Sequence, residues 1–170
     1  MANTMTLIAS STVGSGGAAS IDFTSIPSTY TDLVLDFSVR SATSSTVDNI
    51  NIGLNGSTSS FSGKGLTGDG AAASSTTLPA NRFYGLANGA TGTSNTFSNC
   101  YFYFPNYTSS NYKSFSMDNV QENNTTTAYV RLTAGLWAIT SAITSITMTT
   151  DSGSNFVQFS TAYLYGIKNS

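Results

Sequence analysis

The sequence has no histidine, a single cysteine, and only six Lys and Arg with eight Asp and Glu in 170 residues. Without histidine the commonest general base, the usual serine-hydrolase triad and most zinc sites are excluded. With one cysteine, Cys100, no disulfide can form within the chain. Because Cys100 lies among aromatic residues with no basic neighbour, we expect a buried and unreactive thiol. We expect no enzymatic activity, no cofactor and no bound metal.

Positive charge is sparse and scattered, and the formal net charge is −2. The six cations stand singly at Arg40, Lys64, Arg82, Lys113, Arg131 and Lys168. Binding to nucleic acid needs clustered cations, so it is disfavoured. A surface poor in charge and rich in Ser, Thr and Asn suits packing against other copies, although a simply solvated hydroxyl surface is the alternative.

The first thirteen residues, 1–13, carry no basic segment and no long apolar run. They therefore predict neither a signal peptide nor membrane insertion. Synthesis in the cytoplasm is the expectation.

Alternation of apolar and polar residues indicates strands, and no helical period is present. The clearest case is a hairpin over 112–137, in which Phe115 and Met117 alternate with polar residues in the first arm. In the second arm four apolar residues alternate with Tyr129, Arg131 and Thr133. The four apolar residues are Ala128, Val130, Leu132 and Ala134. Asn123, Asn124 and the three threonines after them predict the loop. We expect the apolar face of each arm to be covered by a second sheet.

Further strands are predicted over 5–13, 20–23, 33–40, 50–54, 64–66, 82–86, 97–104, 142–149, 156–159 and 163–167. Short strands at this spacing predict an all-β, two-sheet antiparallel β-sandwich, jelly-roll-like, with long Ser/Thr/Gly-rich loops. The length favours a single domain over 1–170, with 1–20 as a possible extended N-terminal arm.

Two motifs suggest chemistry that their context does not favour. Residues 14–19 fit the spacing of a dinucleotide fingerprint, but the following segment is β-like, so we expect a flexible glycine turn. Asp118 and Glu122 are the best carboxylate pair for a glycosidase, yet both are expected to face solvent at the end of a strand.

The strand predicted over 97–104 carries aromatic residues on both faces. One face is expected to join the core, and the other to meet a neighbouring subunit or a ligand. Flat rings also suit carbohydrate binding when strands bring them together. The candidate interface or glycan-contact residues are Tyr101, Tyr103, Tyr107, Tyr112 and Tyr129.

Three segments of the chain carry a resemblance, and they read TLIASSTVGSGGAASIDFTSIPSTYTDLVL, PNYTSSNYKSFSMDNVQENN and FVQFSTAYLYGIK. They resemble small virion proteins of tailed bacteriophages, especially those of marine and cyanobacterial phages, of the virion-structural or tail-fibre-like kind. The resemblance covers nearly the whole chain and implies a β-rich, non-enzymatic particle component, often oligomeric. It carries no site residues.

The resemblance leads to two functional hypotheses. The first is an accessory protein of the virion that decorates or cements the capsid, or forms a head fibre, as a homo-oligomer, with a trimer as a guess. Its partners would be further copies and other phage virion proteins. The second is a tail-fibre or receptor-binding module that recognises a host surface glycan. A hydrolase built on Asp118 and Glu122 is the third.

Overall fold

The computed structural model describes residues 4–125 and 127–168, which form twelve β-strands and no helix. The strands are β1 (Met5–Thr12), β2 (Ser20–Phe23), β3 (Asp32–Val39), β4 (Val47–Leu54), β5 (Phe61–Gly68), β6 (Ala73–Thr77), β7 (Phe83–Asn88), β8 (Ser98–Phe104), β9 (Lys113–Gln121), β10 (Tyr129–Trp137), β11 (Ile146–Thr150) and β12 (Thr161–Ile167). The all-β prediction is confirmed.

The strands form two antiparallel sheets of very different width, which confirms the two-sheet prediction. The large sheet has eight strands in the order β1-β12-β3-β8-β9-β10-β5-β6. The small sheet has four strands in the order β2-β11-β4-β7. Strand β1 is one edge of the large sheet and pairs with β12 from Met5 to Thr12, with a register shift between Leu7 and Ala9.

The core lies between the two sheets, which pack in a sandwich-like arrangement. Alternate residues of β4 are buried from the small sheet, and β3 is buried on nearly every residue from the large sheet. Aromatic rings fill the centre, where Phe83 of β7 meets Phe115 of β9 edge to face with ring centroids 3.9 Å apart. Such contacts add to the hydrophobic energy of burial.

A buried amide connects the two sheets. Asn119 of β9 accepts a hydrogen bond from the backbone N–H of Leu86 at 2.5 Å and donates to the carbonyl of Leu86 at 3.2 Å. The same amide donates to the carbonyl of Asn99 on β8 at 2.8 Å. Because a buried unsatisfied polar group is costly, this full set of partners holds β7 in place beneath β8 and β9.

Among the predicted strands, one begins four residues later than predicted and another is a turn. The predicted strand 142–149 begins only at Ile146. The predicted strand 156–159 is a turn, in which Phe156 forms single bridges to Ala18 and Ser41. Phe159 has a positive φ of 71°, a conformation that a bulky residue in a strand cannot adopt.

Strand β6 has no counterpart among the predicted strands. Its sequence, ASSTT, has no apolar alternation, and four of its five residues are exposed. It exists because backbone groups of β5 pair with it from Lys64 to Gly68. An edge strand of this kind gives no periodic signal.

The hairpin loop forms where it was predicted, after Gln121. Glu122 accepts hydrogen bonds from the backbone N–H groups of Asn123 and Asn124 at 2.9 and 2.6 Å. Asn124 adopts a positive φ of 55°, which asparagine tolerates well. Thr126, one of the three threonines assigned to the loop, lies outside the described residues.

Candidate functional site

Strand β10 turns its apolar residues outward, so the prediction that a second sheet covers them is wrong. Val130 and Leu132 are 52% and 55% exposed. Arg131 and Thr133, predicted for the wet face, are only 4% and 5% exposed. In the paired strand β9 the prediction is right, because Phe115 and Met117 face the core.

This inversion, with Arg131 inward and Leu132 outward, follows from the residues in the C-terminal half of β10. Trp137 is buried against Phe61, with ring centroids 6.4 Å apart. Gly135 lies under the ring of Phe115, and a Cβ at Gly135 would stand 1.8 Å from the Cζ atom of that ring. Since side chains alternate between faces, Trp137 and Gly135 inside require Arg131 inside and Leu132 outside.

Arg131 is accommodated by a ring of the opposite sheet. Its guanidinium carbon lies 4.4 Å from the centroid of Tyr84 of β7, and Nη2 lies 3.3 Å from the Tyr84 hydroxyl. Gly65 of β5 leaves the room, because a Cβ there would come within 2.9 Å of Nη2. The stem of Arg131 packs while its head makes a cation–π contact.

Strand β5 shows the same inversion, since Leu66 is 52% exposed while Gly65 is buried. Leu66 is the Cα partner of Leu132, and Val130 is the partner of Val120, which is 46% exposed. Directly paired residues share a face. Four exposed aliphatic side chains on β9, β10 and β5 thus form one surface, the apolar strip: Leu66, Val120, Val130 and Leu132.

Beside the apolar strip the same outer face becomes acidic and aromatic. A single row of Cα partners crosses the sheet through Tyr163, Asp36, Tyr101, Asp118, Leu132 and Leu66. We call its first four members, with Tyr103 in the next row, the acidic–aromatic patch. Tyr103 is fixed, because its hydroxyl donates to Asp32 at 2.8 Å.

The charge of Asp118 acts on Asp36 although β8 separates the two residues. Partial burial, together with the charge of Asp118, raises the pKa of Asp36 above its ordinary value. Burial and the charges of Asp118 and Asp36 also raise the pKa of Tyr101. The hydrogen bond to Asp32 raises the pKa of Tyr103. The patch therefore has a negative potential at neutral pH that a cation or a hydroxyl donor would relieve.

The structure brings together only two of the five predicted tyrosines. Tyr101 and Tyr103 share the outer face of β8, and the opposite face, with Phe102 and Phe104, joins the core as predicted.

The other three tyrosines lie elsewhere. Tyr107 is fully buried, and its hydroxyl donates to the carbonyl of Pro27. Tyr112 is exposed in the loop before β9. Tyr129 starts β10 on the inner face, with the parity of Arg131.

Asp118 and Glu122 lie in different surroundings. Asp118 belongs to the acidic–aromatic patch, whereas the Glu122 carboxylate accepts the hydrogen bonds of the hairpin loop. Cys100 is fully buried as predicted, and burial raises its pKa well above the ordinary value. The glycine segment is a turn, with the Gly17 N–H donating to the carbonyl of Gly14 at 3.0 Å.

Within the two described ranges, no three His, Cys, Asp or Glu side chains are placed to hold a metal ion. The described part of the chain also has no helix long and apolar enough to span a membrane.

Sequence reasoning missed Asp36, Tyr163, Lys64 and Leu66 as members of this outer face. Asp36 and Tyr163 each sit at the polar phase of a strand that was recognised, so their strand periodicity marked them as outward-facing. Their closeness depends on β12, β3 and β8 being neighbours, which only the strand order gives.

Fold and surface together define an all-β protein of two antiparallel sheets with an uncovered apolar strip and an acidic–aromatic patch on one face. Comparison of the chain with protein-family models, with curated proteins and with solved structures gives no match.

Proposed function

We propose that this protein is a non-enzymatic structural accessory protein of a tailed-phage virion, of the capsid-decoration, cement or head-fibre type. It acts by self-association and by binding the particle. The observation that carries the proposal is the apolar strip, in which four aliphatic side chains about half exposed lie side by side on neighbouring strands. Contiguous exposed apolar surface on a folded domain marks an interaction site.

The surroundings of the apolar strip support a protein partner. Gly68, Ser116 and Ala134 are its small neutral neighbours on the paired strands, and Asp118 and Lys64 are its charged ones. A partner that covers the face therefore meets a mainly uncharged surface with one carboxylate and one amine, which opposite charges on the partner can satisfy. Burial of apolar area then contributes roughly 25 cal/mol per Å² before the entropic costs of association.

The phage class comes from the resemblance in sequence, and a jelly-roll-like strand order belongs to the same proposal. Four nested strand pairs alternate between the two sheets: β1–β12 and β3–β8 lie in the large sheet, and β2–β11 and β4–β7 lie in the small sheet. Nested pairs that alternate between sheets are what a rolled-up antiparallel ribbon produces. In this scheme β5, β6, β9 and β10 are additions that widen one sheet.

The proposal is tested by adding the purified protein to phage particles that lack it. We expect saturable binding and, with a labelled copy, regular positions on the head of the intact particle. A matched variant, Leu132→Asp, places a charge in the apolar strip and should bind less. If the wild type does not bind particles at any ratio, the structural role is wrong, and label at the tail tip alone would favour host recognition.

A second candidate, a carbohydrate-binding module, is favoured by the acidic–aromatic patch. Tyrosine rings give sugar rings a flat surface, and the carboxylates of Asp36 and Asp118 accept hydrogen bonds from hydroxyls. A glycan array with the wild type and with Tyr101→Ala tests it. A signal that disappears in Tyr101→Ala supports this function, and no signal from the wild type removes it.

A further inference from the structure

We propose that the outer face of the large sheet pairs with the same face of a second copy around a two-fold axis, and that Lys64 of each copy meets the acidic–aromatic patch of the other. This inference rests on the self-association proposed above and names its surface, its symmetry and its ionic contact.

Opposite charges lie on the two sides of β10 on this face. Asp36 and Asp118 lie on β3 and β9, to one side of β10. Lys64 lies on β5, to the other side, one row away from Leu66. Its Nζ atom is exposed and donates to the Thr77 hydroxyl at 2.6 Å, and it makes no ion pair within the described residues.

A two-fold contact is self-complementary, so each residue on one side of the axis faces a residue on the other side. An axis that runs along β10 keeps every row in place and puts β5 of one copy against β9 of the other. Leu132 then faces Leu132 of the second copy, and Val130 faces Val130. Asp118 faces Leu66, so Lys64 lies one row from that carboxylate. The aliphatic side chains at the axis thus cover one another, and opposite charges lie close together.

The surface that this axis maps onto itself has the area of a small stable interface. It runs from β8 to β6 and is five strands wide, and those strands have five to nine residues. Ordinary strand spacing and rise make this a rectangle on the order of 24 by 25 Å, about 600 Å² per copy. This falls at the lower end of the range for stable interfaces, which bury about 1,200 Å² or more in total.

The test is sedimentation equilibrium of the full chain as wild type, Lys64→Asp, Asp118→Lys and the double exchange. We expect a wild-type dimer that weakens as salt is raised, and about tenfold weaker pairing in each single variant, because like charges then face each other. The double exchange should recover most of the loss. Lys168→Asp, which makes the same charge change beyond the end of β12, should leave the dimer unchanged.

A wild type that stays monomeric at the highest soluble concentration would overturn the inference. So would a trimer, or a dimer that is indifferent to both single exchanges. The particle-binding experiment separates this failure from that of the proposed function. A monomer that binds particles would retain the virion role and remove this interface. A charge-dependent dimer that ignores particles would do the opposite.

Discussion

Strands β9 and β10 are hydrogen-bonded neighbours in one hairpin, yet most apolar residues of β9 face the core and those that alternate in β10 face outward. In β9, Phe115 and Met117 point into the core and serines point to solvent. In β10, Arg131 points inward and Leu132 points outward, although Leu132 is paired with Asp118. Because side chains alternate between the two faces of a strand, the orientation of one residue sets the orientation of all the others. In β10 the burial of one large aromatic residue at the end of the strand outweighs the burial of several smaller aliphatic ones.

The two strands also differ in what lies below them. Strand β9 lies over the small sheet, where Phe83 contacts Phe115. Farther across the large sheet, Gly63 and Gly65 lie on the inner face of β5 beside Phe61, which packs against Phe83. Gly65 leaves room for Arg131, whose guanidinium stacks on Tyr84 of β7, the edge strand of the small sheet. The inward arginine of β10 therefore lies against the edge of the small sheet.

The largest expected effect comes from removing the residue that sets the parity of β10. Trp137→Ala should lower the free energy of unfolding by about 3 to 5 kcal/mol, because it opens a large cavity beside Phe61. Chemical denaturation measures it. Val130→Ala, on the outer face of the same strand, is the control and should change stability by no more than about 0.5 kcal/mol. Equal losses in the two variants would contradict this account of the inversion.

A smaller loss is expected when the inward arginine is truncated. Arg131→Ala should cost about 2 kcal/mol, and Arg131→Lys about 1 kcal/mol, since lysine keeps the charge and stem but not the planar stack on Tyr84. A double-mutant cycle with Tyr84→Leu should give a coupling near 1 kcal/mol. Strict additivity of the two changes would show that the stack does not stabilise β10.

The outward leucine should matter for association and hardly at all for folding. Leu132→Thr keeps a strand-compatible side chain, so the unfolding free energy should change by less than about 0.5 kcal/mol. Self-association should weaken about tenfold, which corresponds to roughly 1.4 kcal/mol. Dilution followed by light scattering measures it. A large loss of monomer stability would mean that Leu132 is part of the core after all.

The smallest effect concerns pH. The pKa of Asp36 is raised in the folded protein, so the folded state binds its proton more readily than the unfolded chain does. Stability from this group is therefore lost as pH rises from the ordinary value of 3.8 through the raised pKa. Asp36→Asn should raise the melting temperature at pH 7 and not at pH 3. Because solvent screens this half-buried group, the gain should stay below about 1 kcal/mol.

The control for Asp36 is an aspartate with the opposite shift. Backbone N–H groups of Ala72 and Ala71 lower the pKa of Asp69. Asp69→Asn should therefore lower stability at pH 7, with the difference fading as pH falls below the ordinary value. Thermal melts of both variants across this pH range check the two signs together. If both variants were more stable than the wild type, the change in net charge would be the cause, and not the local surroundings of each aspartate.

Strong periodicity made most of the fold predictable. Alternation located β3, β9 and most of β8, and Asn124 marked the hairpin loop. The edge strand β6 has no apolar alternation, and the predicted strand around Phe159 was a turn, so local pattern failed where backbone pairing or chain direction decided the outcome. Tyr107 lies in a polar loop and was a candidate interface or glycan-contact residue, but it is buried.

By itself the sequence determined the class of structure, because a chain rich in Ser, Thr and alternating apolar residues, without a helical period, can satisfy its backbone only in sheets. It also determined that Cys100 is buried and that residues 14–17 turn. Only the tertiary structure decided which face of β10 meets the core. That orientation depends on Trp137, Phe115 and the edge of the small sheet acting together. The periodicity of a single strand carries no information about where a second sheet lies.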